Sequence, residues 1–273
     1  MAFTDSHIDE LLTAWPGLRR IPSRDAGVAV ICGWLDFSVT PPGLPTIIDR
    51  YRIRLEVPLA GSRALPVAFE RGERIAATSS NHINPSGSLC LGSPLQLQLK
   101  LGSSPSLLLY VEQCLVPFLY AASWRAQGNA GFPFDELAHG AQGLVEDYQR
   151  LLQLNRAEHI DDALRLLSTR KRKANKRPCA CGCGLRLGRC AYRYHLSSLR
   201  TLLPRRAYRD ARLYFQYQLS LDMRVSPEEQ VNRLAIERRS YTRESRLHKC
   251  TACQVTKPSV GTNATVMAVM EAK

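Results

Sequence analysis

The sequence predicts an α+β domain followed by a small, basic, cysteine-rich module. Three observations carry that expectation. A helical pattern opens the chain, and stretches with apolar residues at every second position follow it, then a long loop and further helical patterns. Charge is divided unevenly. Residues 1–168 hold 14 Lys+Arg against 17 Asp+Glu, and residues 169–273 hold 23 against 7, so the net +13 of the 273-residue chain belongs to its C-terminal part. Six of the nine cysteines lie in that same part.

Each element has its own signal. In residues 5–15, Asp5 or Ser6 serves as a cap, Ile8, Leu11, Leu12 and Trp15 recur at helical spacing, and Pro16-Gly17 ends the helix. Residues 26–39 are rich in β-branched and aromatic types with apolar residues on both faces, as in a buried strand. After a turn at Pro41, Pro42, Gly43 and Pro45, Tyr51, Ile53, Leu55 and Val57 alternate with Arg52, Arg54 and Glu56, a strand with one wet face. Gly61-Ser62 turns the chain, and Leu65, Val67 and Phe69 repeat the alternation. Three consecutive strands with short connections predict an antiparallel meander.

Residues 77–106 read as loop, and a loop of that length in a compact domain carries function or is disordered. Helices are expected at 105–124, with Leu108, Val111, Leu115, Phe118 and Leu119 on one stripe, and at about 134–153 and 156–168, the last with Ile160, Leu164 and Leu167 inward. The predicted organisation is a domain at 1–168, a basic linker at 169–178, a Cys-rich module at 179–258 and a tail at 259–273. Within the module, Leu213, Phe215 and Tyr217 suggest an alternating strand face, and 227–240 a helix.

Hydrophobic residues make up 45% and charged residues 22%, enough to build a core. No uninterrupted apolar run approaches 18 residues, which argues against a membrane span, and the acidic N-terminus argues against a secretory signal. A cytoplasmic location is expected, with the cysteines as thiols or metal ligands rather than disulfides.

Cys90 lies in the loop, in NHINPSGSLCLG. A thiol is the best side-chain nucleophile near neutral pH, and an exposed loop is where a reactive one belongs. Asn84 is placed to donate to an oxyanion or to hold the loop in shape, and His82 to act as base or as a loop anchor. The alternative is that Cys90 is a small apolar plug beside Leu89 and Leu91. Cys32 and Cys114 fall within a strand and a helix and read as core.

The stretch from His82 to Leu91 resembles the active-site segment of ubiquitin-conjugating enzymes: His-Pro-Asn, a Gly-containing loop, a small apolar residue and the catalytic Cys followed by Leu. The order of helix, meander, loop and helices is similar as well. The resemblance covers about residues 1–125, or the whole domain at 1–168, and points to divergent, prokaryotic members of the superfamily. Ile83 stands where that family has Pro, the interval from His82 to Cys90 is shorter, and the later helices do not match in detail. What it implies is a UBC-like fold and thioester relay. Cys90 accepts the C-terminus of a ubiquitin-like protein from an activating enzyme and passes it to an amine on a protein target, with Asn84 stabilising the oxyanion or its loop. It also implies a setting in a bacterial defence operon.

In the basic module, Cys179, Cys181, Cys183 and Cys190 lie close together, and closely spaced thiolates read as a structural zinc site. Residues 179–195 resemble the SEC-C zinc motif. Cys179, Cys181 and Cys190 match by spacing, Gly182 and Gly184 match the flanking glycines, and Cys183 stands where Ser is usual. The motif's last ligand position is Ala191, which leaves Cys183 or His195 as the fourth ligand; Cys250 and Cys253 complete this site or form a second.

The module's charge fits an acidic partner: nucleic acid, a ubiquitin-like protein or an acidic target surface. Tyr192, Tyr194, Tyr208, Tyr214, Phe215 and Tyr217, interleaved with arginines, suit either stacking on single-stranded nucleic acid or a small core. Three functions are therefore open: the relay enzyme, a non-enzymatic zinc-containing nucleic-acid-binding or adaptor protein, and a Cys–His hydrolase built on Cys90 and His82.

Overall fold

The computed structural model describes residues 3–59, 64–102, 106–129, 131, 133–134 and 140–224. In chain order the first elements are α1 (Asp5–Ala14), β1 (Leu18–Ile21), β2 (Val28–Val39), β3 (Ile47–Pro58), β4 (Val67–Glu70) and α2 (Pro94–Leu101). Then come α3 (Leu107–Tyr110), a π turn (Val111–Leu115), α4 (Val116–Ala126), α5 (Gly140–Leu152), α6 (Ile160–Ser168), α7 (Lys171–Ala174), α8 (Tyr192–Leu202) and α9 (Arg205–Arg224). Cys250, Cys253, the helix expected at 227–240, the tail at 259–273 and the turn at Gly61-Ser62 lie outside the described residues.

These elements form two compact units. The described part of the first takes in 3–91 and 106–134, and that of the second 92–102 and 140–224. The division differs from a boundary at 168. α5 and α6 belong with the cysteine-bearing segment, because their apolar faces are buried within the second unit.

The first unit is an antiparallel meander in the order β1-β2-β3-β4. β2 and β3 pair along their whole length, from Val28 opposite Pro58 to Val39 opposite Ile47. Tyr51, Ile53, Leu55 and Val57 point into the core, as their alternation predicts. β1, four residues long, carries too short a pattern to be read from sequence. Gly33 shows how closely β1 approaches β2: a Cβ there would lie 2.1 Å from the Gly17 carbonyl, and its φ of +152° suits glycine.

β4 takes the opposite phase to the one expected. Ala68 and Glu70 face inward and Val67 is 39% exposed. The Glu70 carboxylate explains the shift: it accepts the backbone N–H groups of Gly72 (2.5 Å) and Arg74 (3.1 Å) and so anchors the bend after the strand. That bend holds a polar network. Arg74 grips Asp49 through both terminal nitrogens (2.6 and 3.0 Å), Ser123 donates to Asp49 (2.6 Å), and Tyr51 shares a hydrogen bond with Ser123 (2.9 Å). Burial works against the Asp49 charge, yet the hydrogen bonds from Arg74, Ser123 and the Arg50 backbone hold its carboxyl below the usual range.

Residues 107–126 are long and apolar enough to cross a membrane by length and composition, with a mean hydropathy of 1.3, which the test of uninterrupted runs misses. Here Leu107, Tyr110, Val111, Leu115, Leu119 and Tyr120 are buried in the first unit. The Tyr110 and Tyr120 hydroxyls donate to the carbonyls of Pro66 (2.8 Å) and Pro45 (2.7 Å). Pro117, which has no N–H to give, falls in the first turn after the π turn.

The second unit is helical. Ile160, Ala163, Leu164, Leu166 and Leu167 of α6 are buried, and α6 packs against α9. Arg212 of α9 binds Asp161 of α6 through two 2.8 Å hydrogen bonds, and the Tyr148 and Phe215 rings stack at 5.5 Å. The strand face proposed for Leu213, Phe215 and Tyr217 is instead part of α9. Tyr208, Ala211 and Phe215 are buried at helical spacing, while Leu213 (58%) and Tyr217 (59%) are exposed. Part of the expected loop at 77–106 is α2, capped by Ser93 accepting from the Gln96 N–H (3.1 Å) with Pro94 in the first turn.

Candidate functional site

Two cysteine-bearing loops are the candidates, one in each unit. In the first unit, residues 82–90 form a small hairpin after β4. Ile83 and Leu89 pair as an antiparallel bridge, and the Cys90 N–H donates to the His82 carbonyl (2.7 Å). The tip is a β-turn in which the Gly87 N–H donates to the Asn84 carbonyl (2.8 Å). The hairpin is tied to the sheet by the Leu89 N–H on the Ala68 carbonyl (2.8 Å). The loop just before it is tied to α4 by Arg125 on the Ser80 carbonyl (2.5 Å).

Within this frame the Asn84 amide donates to the Ser88 hydroxyl (3.0 Å), which is itself shared with Ser86 (2.9 Å). Of the two roles open to Asn84 in the sequence, this geometry is that of holding the loop in shape. His82 sits in the left-handed region, with φ 54°, a conformation that turns the chain into the hairpin. Cys90 is partly exposed, whereas Cys32 and Cys114 are buried in the core. Leu89, next to it, is the residue that plugs the core.

In the second unit, the sulfur atoms of Cys179, Cys181, Cys183 and Cys190 all lie within 4.8 Å of one another. Cys179 and Cys181 are 3.3 Å apart and Cys181 and Cys190 3.6 Å. Four thiolates around a tetrahedral ion, with bonds of about 2.3 Å, are separated by roughly 3.8 Å, so this group could hold a metal ion. His195, the other candidate for fourth ligand, lies outside the group; its Nε2 is 3.1 Å from the Leu151 carbonyl.

The backbone builds this arrangement. Pro178 and Arg186 form an antiparallel bridge, the Cys179 N–H donates to the Leu185 carbonyl (2.8 Å), and the Leu187 N–H to that of Arg177 (2.9 Å). Gly182 and Gly184, with φ of +82° and +73°, reverse the chain between the ligands. Gly182 also lies against His159, where a Cβ would meet the ring at 2.6 Å. Leu187, fully buried, anchors the return arm.

The electrostatics favour a cation. Burial pushes the Cys179 and Cys181 thiols up, while the Tyr192 N–H at the start of α8, 3.4 Å from the Cys190 sulfur, holds Cys190 below its ordinary value. Four adjacent thiolates repel one another, and a divalent ion removes that repulsion. Sequence reasoning missed the Tyr192 backbone donor, because a main-chain group leaves no side-chain signature.

No protein-family model matches this chain, and no curated protein or solved structure matches it.

Proposed function

We propose that the chain is an acyl-transfer enzyme of the ubiquitin-conjugating type, with Cys90 as its thioester-forming nucleophile and zinc as the ion of the four-cysteine group. The observation that carries this reading is the partly exposed Cys90 thiol on a hairpin fixed by its own hydrogen bonds, which follows a helix and a four-stranded antiparallel meander. That order of elements is the one implied by the resemblance around His82, Asn84 and Cys90.

In this mechanism the Cys90 thiolate attacks the thioester that joins a ubiquitin-like C-terminus to its activating enzyme. A new S–C bond forms at Cys90, and the activating enzyme's sulfur leaves as a thiolate. An amine of a protein target then attacks the carbonyl carbon. The amine loses its proton to solvent, an amide forms, and the Cys90 thiolate is released. Each step passes through a tetrahedral oxyanion. Asn84 acts here as a positioning residue through Ser88. Cys179, Cys181, Cys183 and Cys190 would hold zinc, which would supply the second unit with structural order and not transfer chemistry.

The test uses the purified chain with ATP and an extract of cells that make it, followed by intact-mass analysis. Wild type gains a protein-sized adduct that a thiol reductant removes. Cys90→Ser gains an adduct that resists the reductant, and Cys90→Ala gains none. No adduct on wild type, or one that persists in Cys90→Ala, contradicts the reading.

A further inference from the structure

We infer that the metal-binding loop of the second unit is a docking surface for single-stranded nucleic acid, a function separate from chemistry at Cys90. Between Thr169 and Arg224 the chain holds fifteen basic residues and two acidic ones, Asp210 and Asp222. The basic run 170–173, on and just before α7, is exposed, as are Lys176, Arg177, Arg186 and Arg189. Among the described residues, none of these eight side chains takes part in an ion pair.

The fold concentrates them. Lys176 and Arg177 lie on the outgoing arm of the loop and Arg186 and Arg189 on the return arm. The two arms are joined by the Pro178–Arg186 bridge and by the Gly188 N–H on the Asn175 carbonyl (3.0 Å). The cysteines do not account for this charge. Four thiolates on a divalent ion carry a net charge of about −2, so about two cations would balance them and the rest are surplus. A surplus of exposed, unpaired cations on a rigid loop suits a polyanion with regularly spaced charges, which is a phosphate backbone.

A ring completes the surface. Tyr194, two residues into α8, is 63% exposed although it is a large aromatic side chain. Arg193 lies over this ring at 4.2 Å, which makes an aromatic–guanidinium platform. Unstacked bases settle on such platforms, and bases in a duplex are not available to do so. This favours a single strand over a duplex.

The experiment is fluorescence anisotropy of a labelled oligothymidine of about 20 nucleotides with the full, metal-loaded chain, repeated over a salt series. Wild type is expected to bind with a dissociation constant in the micromolar range or tighter at about 50 mM salt, and to weaken steeply as salt rises. The combined variant Lys176→Gln, Arg177→Gln, Arg186→Gln, Arg189→Gln lowers affinity by at least about tenfold and flattens the log–log salt slope by about 3. Tyr194→Ala, at an exposed position, weakens the single strand by roughly tenfold and a duplex of the same length much less. Should the combined variant lose its metal, the pair Arg170→Gln and Arg172→Gln is read in its place and is expected to show the same direction. The inference is overturned if wild type does not bind at low salt or if binding is insensitive to salt. It is also overturned if the charge variants or Tyr194→Ala bind like wild type, or if the chain binds anionic phospholipid vesicles and not the oligonucleotide.

Discussion

The two cysteine loops reach rigidity by different routes. The 82–90 hairpin closes on itself through a strand-like bridge, a β-turn, the Asn84–Ser88 contact and a tie to β4, and it carries the partly exposed Cys90 at its end. The 177–190 loop brings four sulfurs together, and its approach is specified by two glycines with positive φ. A loop that spends its side chains on itself can present a reactive group. A loop that converges four thiols is suited to be held by an ion. On the proposed reading, Cys90 is the reactive thiol and Cys179, Cys181, Cys183 and Cys190 are structural ligands.

With the four-cysteine group as the proposed zinc site, the largest expected effect follows from removing the ion. A structural zinc site supplies about 10–16 kcal/mol of binding free energy in small modules. Chelation, or Cys190→Ser, is expected to release the metal and to raise amide exchange throughout 177–190 and the first turn of α8, while the β2 and β3 amides keep their protection. Equal loss of protection in both units would erase the distinction between the loops.

A smaller effect separates the two glycines. Gly182→Ala meets both a left-handed φ and the His159 ring and is expected to cost more than about 2 kcal/mol. At Gly184 a Cβ has nothing within 4 Å, so Gly184→Ala is expected to cost about 1 kcal/mol, from φ alone. Chemical denaturation of the metal-loaded protein checks the order.

In the first unit, Asn84→Ala removes the donor to Ser88, which is only 6% exposed, and is expected to lower stability by about 1 kcal/mol. On the proposed mechanism it also slows aminolysis of the Cys90 adduct, while Asn84→Asp, which cannot donate in the same way at neutral pH, does not restore the rate.

Asp49 gives an effect of similar size with a pH signature. Its carboxyl is held below the usual range in the folded chain, so the stability it contributes is complete above the unfolded value, near 4, and is lost as pH falls through the folded one. Asp49→Asn is expected to cost about 1–2 kcal/mol at pH 7, and the gap from wild type should close at acidic pH. Glu70, pushed up by burial, contributes in the opposite sense, so the difference between the two proteins is the quantity to measure, not wild type alone.

The sequence made the β2–β3 pair legible because Tyr51, Ile53, Leu55 and Val57 each fill a core position in strict alternation. The strand at β4 was legible too, but its inward face was not, because Glu70 faces inward to bind backbone N–H groups, a use of a carboxylate that hydrophobic alternation does not encode. Leu213, Phe215 and Tyr217 misled for a different reason: three apolar residues at spacing two fit a strand, yet the buried set is Tyr208, Ala211 and Phe215. The four-cysteine group was readable from spacing, with the fourth ligand left open between Cys183 and His195. Ala191 occupies the expected ligand position, and only the turn through Gly182 and Gly184 brings Cys183 in.

The most direct test of the contrast between the loops is timed alkylation of the native, metal-loaded protein, with each cysteine followed by peptide mass. The expected result is modification of Cys90 first, with Cys179, Cys181, Cys183 and Cys190 protected until a chelator is added. Cluster thiols that react as fast as Cys90 without chelator, or a Cys90 that reacts only after denaturation, would contradict the account.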